Sequence, residues 1–340
     1  MNPKVAVVIL NWNGKNLLER FLPSVIEYSM DIAEIIIADN NSSDDSIHFL
    51  ENKYPDIRLI RNSTNEGFAK GYNTVLKQIE ADYYILLNSD IEVTPHWIEG
   101  VINFMEKDKS IAACQPKILS YNDKSSFEYA GAAGGFIDKL GYPFCRGRLF
   151  QTLENENEQY DDILEIFWAT GACLFIRADL FHCVGGFDED FFAHMEEIDL
   201  CWRLKNATYK IYYFPHSAIY HVGGATLDKM SPQKTYLNFR NNLSLIYKNI
   251  VKTSLKRVLF KRAILDFIAA ISFIFSGGFS HFWAVIRAYM AFYKSMGKIK
   301  EKRKHIEQKQ VSCIYNKSIV KEYYFNKKKF FFLLNERDFS

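Results

Sequence analysis

Val5-Ala6-Val7-Val8-Ile9-Leu10, closed by Asn11-Trp12-Asn13-Gly14, is the stretch from which the fold is read. A short, unbroken, mostly β-branched apolar run that ends in a turn cluster reads as a strand buried on both faces. Leu17, Leu18, Phe21, Leu22, Val25 and Ile26 then recur at helical spacing. Glu34-Ile35-Ile36-Ile37-Ala38 is a second strand, and Asp39-Asn40-Asn41-Ser42-Ser43-Asp44 is the polar loop at its end. Ser43 is the expected N-cap of a helix from Asp44 to Lys53. Ile57 to Ile60 reads as a third strand, Gly67 to Ile79 as a helix, and Tyr83-Tyr84-Ile85-Leu86-Leu87 as a fourth strand. Strands alternating with helices predict an α/β fold with a mainly parallel central sheet. Ligands of such sheets bind beyond the carboxyl ends of the strands, where these polar clusters fall.

Working outward, the pattern loosens from 95 to 165. A helix-like stretch spans 96–107, glycines at 131, 134, 135 and 141 mark loops, and acidic Glu154 to Asp162 reads as a mobile surface segment. Regular structure is expected to resume at Ile166-Phe167-Trp168-Ala169. The character changes again near 245, which predicts a main domain over 1–245 and a basic, amphipathic helical extension over 246–340. Within the extension, Ala263 to Phe275 is shorter than the ~20 residues of a membrane span. Two amphipathic helices joined at Gly277-Gly278 fit better. The net charge of +2 does not suit a dedicated nucleic-acid binder. Six cysteines without a CxxC pair, and a start without a basic leader, point to a reducing, cytoplasmic setting.

Five clusters can carry chemistry. Asn88-Ser89-Asp90 ends the fourth strand, where a carboxylate can hold a hard divalent cation together with substrate phosphates, or the segment can be a simple turn. Asp39 can accept hydrogen bonds from a ribose or base edge. Asn65-Glu66-Gly67-Phe68-Ala69-Lys70-Gly71-Tyr72-Asn73 offers close backbone approach and, at a helix start, free N–H groups for an anion. Gly185-Gly186-Phe187-Asp188-Glu189-Asp190-Phe191-Phe192 and His194 to Arg203 interleave carboxylates with aromatics, and Glu196 and Asp199 share a helical face. A carboxylate there can serve as a general base or simply complement a helix dipole. Tyr220-His221-Val222-Gly223-Gly224-Ala225-Thr226 sets a histidine beside a glycine pair, where it can ligate a metal or be structural.

The order of these clusters over roughly residues 4 to 245 resembles glycosyltransferase family 2, the inverting enzymes of GT-A fold, and within it the rhamnosyltransferase-like branch. The resemblance implies a nucleotide-sugar donor (UDP-, dTDP- or GDP-linked) and a divalent metal, Mg²⁺ or Mn²⁺. It implies donor contacts from Asn11, Asn13, Asp39, Asn65, Gly67, Phe68, Gly71, Asn73, Asn88, Ser89 and Arg240. Asn88-Ser89-Asp90 stands in place of the family's D-x-D motif, so Asp90 is the implied metal ligand, with His221 beside it. Gly171, Asp188, Glu189 and Asp199 fall on the acceptor side. Glu196-Glu197 stands where the family has Glu-Asp, which implies Glu197 as base with Glu196 as its rival.

The implied acceptor is a glycan or lipid-linked hydroxyl. Basic and aromatic residues alternating through 250–340 fit a peripheral contact with the inner face of the cytoplasmic membrane. Two other readings share the parallel sheet. A sugar-nucleotide nucleotidyltransferase would need a Gly-rich basic loop after the first strand, which Leu10 to Gly14 is not. A non-catalytic sugar-nucleotide-binding protein would have no use for carboxylates at 90, 196 and 197.

Overall fold

The structure is a computed structural model, and it describes residues 3–223, 231–276 and 278–340. Four parallel strands form its first half: β1 (Val5–Asn11), β2 (Glu34–Asp39), β3 (Arg58–Arg61) and β4 (Tyr83–Leu87). Ala6 and Val8 of β1 join the core on one face of the sheet, and Val5, Val7 and Ile9 join the core on the other. That two-sided burial is why β1 shows no alternation in sequence. Helices α1 (Lys15–Ser29), α2 (Ser46–Lys53) and α3 (Gly67–Leu76) link the strands. α1 buries Leu18, Phe21, Leu22 and Val25 against the sheet. Helix α2 starts two residues later than expected. Asp44 accepts from the Ser46 amide at 3.1 Å and from its hydroxyl, whereas the Ser43 amide donates to Asn13 Oδ1 at 2.7 Å. Ser43 is therefore not the cap.

After β4 come β5 (Ile91–Val93), α4 (Glu99–Glu106) and β6 (Ile111–Ser120). β6 is buried along nearly its whole length although Gln115, Pro116 and Lys117 interrupt its apolar pattern. Its polar members have partners: Gln115 accepts from the Thr170 amide at 3.0 Å, and Lys117 meets Glu156 at 3.0 Å. Short strands β7 (Gly135–Asp138), β8 (Pro143–Cys145), β9 (Arg148–Leu149) and β10 (Thr152–Leu153) make a small second sheet, and β11 (Leu164–Glu165) follows. Residues 166–169 form no strand. The chain touches the main sheet briefly at β11, which pairs with a later strand, and returns to its interior at β12 (Cys173–Arg177), antiparallel to β4. Then follow α5 (Ala178–Cys183), α6 (Glu196–Asn206) and β13 (Lys210–His221). Among the described residues the main sheet has nine strands, in the order β11-β13-β6-β12-β4-β1-β2-β3, with β5 paired to β13.

Beyond the sheet lie α7 (Pro232–Asn249), α8 (Lys252–Ser276), α9 (Phe279–Lys294) and α10 (Met296–Lys304). The expected helix pair around Gly278 is present, while Gly277 lies outside the described residues. The tail then returns to the core. β14 (Ile314–Tyr315) adds to β7, and α11 (Ile319–Tyr324) packs beside it. Tyr315, Ile319 and Tyr323 belong to the same core as Ala6 and Val8 of β1.

The acidic stretch 154–162 differs from its expected character. Glu154 is buried and accepts from the Tyr160 hydroxyl and the Phe331 amide at 2.7 Å each. Asp162 pairs with Arg146 at 2.9 Å, and Lys117 holds both Glu156 and Asp161. Long-range cations thus pin a segment whose composition alone reads as solvated. Replacing Lys117 with Met leaves Glu156 without its cation and is expected to cost about 2 kcal/mol. That is less than a fully buried pair because Asp161 is 46% exposed. Urea denaturation measures the loss, and limited proteolysis should then cut within 154–162. An unchanged midpoint together with an unchanged digestion pattern would contradict this role of Lys117.

Candidate active site

The candidate cleft is placed at the carboxyl ends of β1, β2 and β4, where polar residues gather and where ligands of such sheets bind. Asn11 ends β1 and is fully buried; its amide donates to Asp39 Oδ1 and to Ser42 Oγ, both at 3.1 Å. Asp39, at the end of β2, also accepts from the Ser42 amide at 2.9 Å. Asn13 stands at φ +51° and gathers the Ser43 and Asp44 amides. Asn40 donates to Asn65 Oδ1 at 2.9 Å, which ties the β2 loop to the start of α3. Gly71 faces Asn40 so closely that a Cβ would lie 3.2 Å from it. Asn11, Asn13, Asp39, Asn65 and Gly71 are thereby drawn into one polar floor. Asn11 Oδ1 is buried in it without a hydrogen-bond partner.

Asn88-Ser89-Asp90 ends β4, and the sheet brings His221 to it. β13 pairs with β5 so that His221 stands opposite Ile91, the residue after Asp90. His221 Nε2 lies 3.1 Å from Asp90 Oδ1 and 3.4 Å from the Asn88 amide nitrogen. The other Asp90 oxygen accepts from the Gly223 amide at 3.2 Å. On the far side of the ring, Glu128 Oε2 is 3.2 Å from His221 Nδ1. Burial opposes charge on this imidazole, but the hydrogen bonds and charges of Asp90 and Glu128 outweigh it and raise its pKa to about 10. Burial likewise opposes charge on both carboxylates, and the imidazolium pulls each below its ordinary value. Sequence reasoning missed Glu128, which sits in the weakly patterned stretch and carries no motif. Gly224, Ala225 and Thr226, read with the histidine, lie outside the described residues.

Without a metal the Asp90–His221 Nε2 contact is a hydrogen bond from the imidazolium; a divalent cation held there would displace the Nε2 proton and leave a carboxylate with a neutral imidazole, a pair that suits Mn²⁺. A carboxylate on the other ring nitrogen is the usual way such a histidine is held in its tautomer. Among the described residues no three His, Cys, Asp or Glu side chains converge on one point. A cation here would complete its shell from ligand oxygens and water.

The acceptor-side cluster forms a tight loop before α6. Phe192, His194 and Met195 all have positive φ, at +64°, +70° and +74°, a conformation that costs L-residues energy and collects at functional sites. Its carbonyls are taken from several sides. Asn241 donates to those of Phe191, Ala193 and His194, and Arg240 to those of Asp190 and Phe191. The Phe192 carbonyl accepts from the Phe68 amide at 2.8 Å. The N–H groups expected to be free at the start of α3 are thus partly used. Arg240 grips the loop rather than facing the cleft unpaired. Asn73 clasps Phe187 in both directions at 2.9 Å and also reaches Glu189.

Asp188 and Asp199 are consumed by ion pairs. Lys248 joins the two, Lys302 also reaches Asp188, and Arg203 holds Asp199 at 2.8 Å. Buried, fully partnered Asp199 anchors α6, contrary to the acceptor contact expected of it. Glu196 and Glu197 open α6. Burial, followed by the charge of Glu197, raises Glu196 well above the carboxylate range, whereas burial lifts Glu197 only to about 7. Each has one carboxylate oxygen buried without a partner, as does His194 Nε2 nearby. Gly171 separates Phe68 from Glu197: a Cβ there would lie 3.2 Å from the Phe68 ring and 3.8 Å from Glu197 Cβ. Ala172 next to it accepts from the Asn88 amide at 2.9 Å. Glu197 is in this way linked to the end of β4.

The family model described as "Glycosyl transferase family 2" matches residues 6–185. The N-acetylglucosaminyl-diphospho-decaprenol L-rhamnosyltransferase of Mycobacterium tuberculosis is 27% identical over 239 residues, covering 65% of this chain and 76% of that protein. The low-salt glycan biosynthesis hexosyltransferase Agl10 of Haloferax volcanii is 21% identical across 83% of this chain and 84% of its own. Among solved structures, S. aureus TarS 1-349 in complex with UDP-GlcNAc has a TM-score of 0.57 at 15% identity, covering 88% of this chain and 83% of that one. GalNAc-T7 with UDP, GalNAc and Mn²⁺ has a TM-score of 0.56 at 16% identity, covering 74% of this chain and 48% of that one. The fold is GT-A.

Gly67 gives a direct probe of the cleft wall. It has φ +81°, and a Cβ would lie 2.6 Å from both the ring and the carbonyl of Phe192. Gly67→Ala is expected to cost about 1–3 kcal/mol through strain and to displace the 192–195 loop. A thermal melt reads the first effect. Amide exchange at 192–195 reads the second and should rise with the substitution; unchanged protection there would refute the coupling.

Proposed function

The chain belongs to glycosyl transferase family 2, and from that premise we propose that it moves a sugar from a nucleotide-diphosphate donor to a hydroxyl of a glycan or lipid-linked acceptor, with inversion at the anomeric carbon. That it is a glycosyltransferase using a nucleotide sugar follows from the family; the choice of acceptor and the single-displacement mechanism are our inference. The observation that carries the reading is the Asp90–His221 pair at the end of β4, to which Glu197, with its unpartnered carboxylate oxygen, is joined through Gly171 and the Ala172–Asn88 hydrogen bond. Residues 1–245 hold this machinery, and 246–340 support it.

The donor's nucleoside lies over Asn11, Asn13, Asp39 and the Asn65–Asn73 segment. Asn11 Oδ1, buried and unpaired, can accept from an N–H of the base. Asp90 and His221 would hold the Mg²⁺ or Mn²⁺, which when bound would offset charge on the diphosphate. Glu128 keeps the His221 ring turned toward Asp90.

Glu197 is the base. A group near 7 is largely ionised at slightly alkaline pH yet basic enough to take an alcohol proton as the bond forms. Glu196 beside it is raised too, by burial and by the charge of Glu197, so the two titrate together as a pair, and Glu197 takes the base role because it stands where the family has the Asp of Glu-Asp. The acceptor oxygen attacks the anomeric carbon as Glu197 removes its proton. The bond to the diphosphate breaks, and the nucleoside diphosphate leaves with the electron pair. The diphospho-decaprenol in the mycobacterial relative's name supports a lipid-linked acceptor for this chain too, and with it work at the inner face of the cytoplasmic membrane.

The test is release of nucleoside diphosphate from UDP-, dTDP- and GDP-sugars in the presence of Mn²⁺ or Mg²⁺ and a polyprenol-linked acceptor. Asp90→Ala should lower turnover by at least about 100-fold, and full metal-dependent donor binding by this variant would remove Asp90 from the site. Glu197→Gln should abolish transfer yet leave donor affinity within a few-fold. If Glu196→Gln is dead and Glu197→Gln active, the base is the other carboxylate. The raised Glu197 pKa also sets the pH profile: kcat/KM should climb as pH rises through about 7 and level off above it. A profile flat from 5 to 9 would exclude a base of this kind.

A further inference from the structure

Helices α8 and α9 touch the rest of the protein along narrow stripes. α8 buries Val258, Arg262, Asp266 and Ala270, one residue per turn, and α9 buries His281, Ala284, Val285, Ala288 and Phe292. At the centre of the contact, Asp266 pairs with Arg262 and accepts from the hydroxyls of Tyr142 at 2.7 Å and Tyr289 at 2.8 Å. The opposite face is bare. Phe275 is 87% exposed, Phe279 65% and Phe267 53%, and Ile264, Ile268 and Trp283 lie open beside them. A contiguous apolar surface of this extent marks an interaction site.

Charge along the hairpin selects the partner. Every exposed charged side chain on α8 and α9 is a cation: Lys252, Lys256, Arg257, Lys261, Arg287 and Lys294. The single acid, Asp266, is buried. The helices are joined at Gly278, so the cations of early α8 and late α9 lie toward one end. The uncharged surface from Ile264 to Trp283 forms the other. Two such hairpins packed in parallel would oppose cation to cation, and packed head to tail would set unpaired cations over an apolar tip. An anionic lipid surface matches both halves at once, with acyl chains around the tip and headgroups around the lysines and arginines. No helix is long and apolar enough among the described residues to cross a membrane.

The tip also lies beside the helix that leads from the cleft. His281 Nδ1 is 2.9 Å from Thr235 Oγ1 in the first turns of α7, and the Phe239 and Phe273 rings are 6.4 Å apart. Arg240, next to Phe239, grips the loop ahead of α6. We propose that the α8–α9 tip, from Ile264 to Trp283, wedges into the headgroup–acyl boundary of an anionic leaflet and sets the cleft against the membrane plane. The idea rests on the membrane reading above and gives it a definite surface and orientation.

The test uses the full chain and vesicles of phosphatidylcholine, alone or with phosphatidylglycerol. The protein should sediment with the anionic vesicles, bind neutral ones weakly, and be partly released by salt. The pair Phe275→Ser with Phe279→Ser should weaken binding by at least about tenfold. These side chains are exposed, so the melting temperature should hold. Trp283 fluorescence should shift to the blue with anionic vesicles. Equal sedimentation of wild type and the double variant, or none by wild type, overturns the proposal. Conversion of a wild-type dimer to monomer by the same variant would assign the face to a second copy and also overturn it. Donor turnover with a water-soluble acceptor separates the two readings: its loss with vesicle binding intact removes the proposed reaction, not the wedge.

Discussion

The cleft depends on the pairing of β13 with β5. Asp90 and His221 are far apart in the chain, and only the register that sets His221 opposite Ile91 brings the imidazole to the carboxylate. β6 supports the same strand from its other edge, with Ser120 opposite His221. Burying an imidazole between two carboxylates is costly unless their remaining hydrogen bonds are met. Asp90 has the Gly223 amide, and Glu128 has the amide of Ala130. Backbone on both flanks therefore fixes the geometry before any ligand arrives.

The second constraint is the loop from Asp188 to Met195. Three non-glycine residues in left-handed backbone would not hold that shape unaided. Carbonyls fastened by α7, carboxylates fastened by Lys248, Lys298 and Lys302, and the Phe192 carbonyl fastened by α3 together over-determine it. The consequence is that α6 begins at one place, with Glu196 and Glu197 in its first turn. Two of those lysines belong to α10, so the helical extension takes part in shaping the cleft as well as offering an outer face.

Much of this was legible in the sequence. β1, β2 and β4 are buried on both faces, so each appears as an unbroken apolar run, and the polar residues closing those runs lie in the cleft. β6 and β13 were not legible. Gln115, Pro116 and Lys117 disguise one, and an irregularity between Phe214 and Ala218 breaks the pairing of the other around Pro215. The acidic stretch 154–162 looked solvated because its cations, Lys117 and Arg146, come from elsewhere in the chain.

The sequence by itself determined the parallel half of the sheet, the polar strand ends and the pair of helices around Gly278, because local pattern reports which faces are buried. Only the tertiary structure decided the partners. It put Glu128 behind His221, tied Asp199 and Arg240 into the framework, occupied amides at the start of α3, and left Asn11, Glu196 and Glu197 each with an unpaired buried oxygen. The physical reason is that a side chain's chemistry depends on which of its hydrogen bonds are already used, and long-range packing sets that.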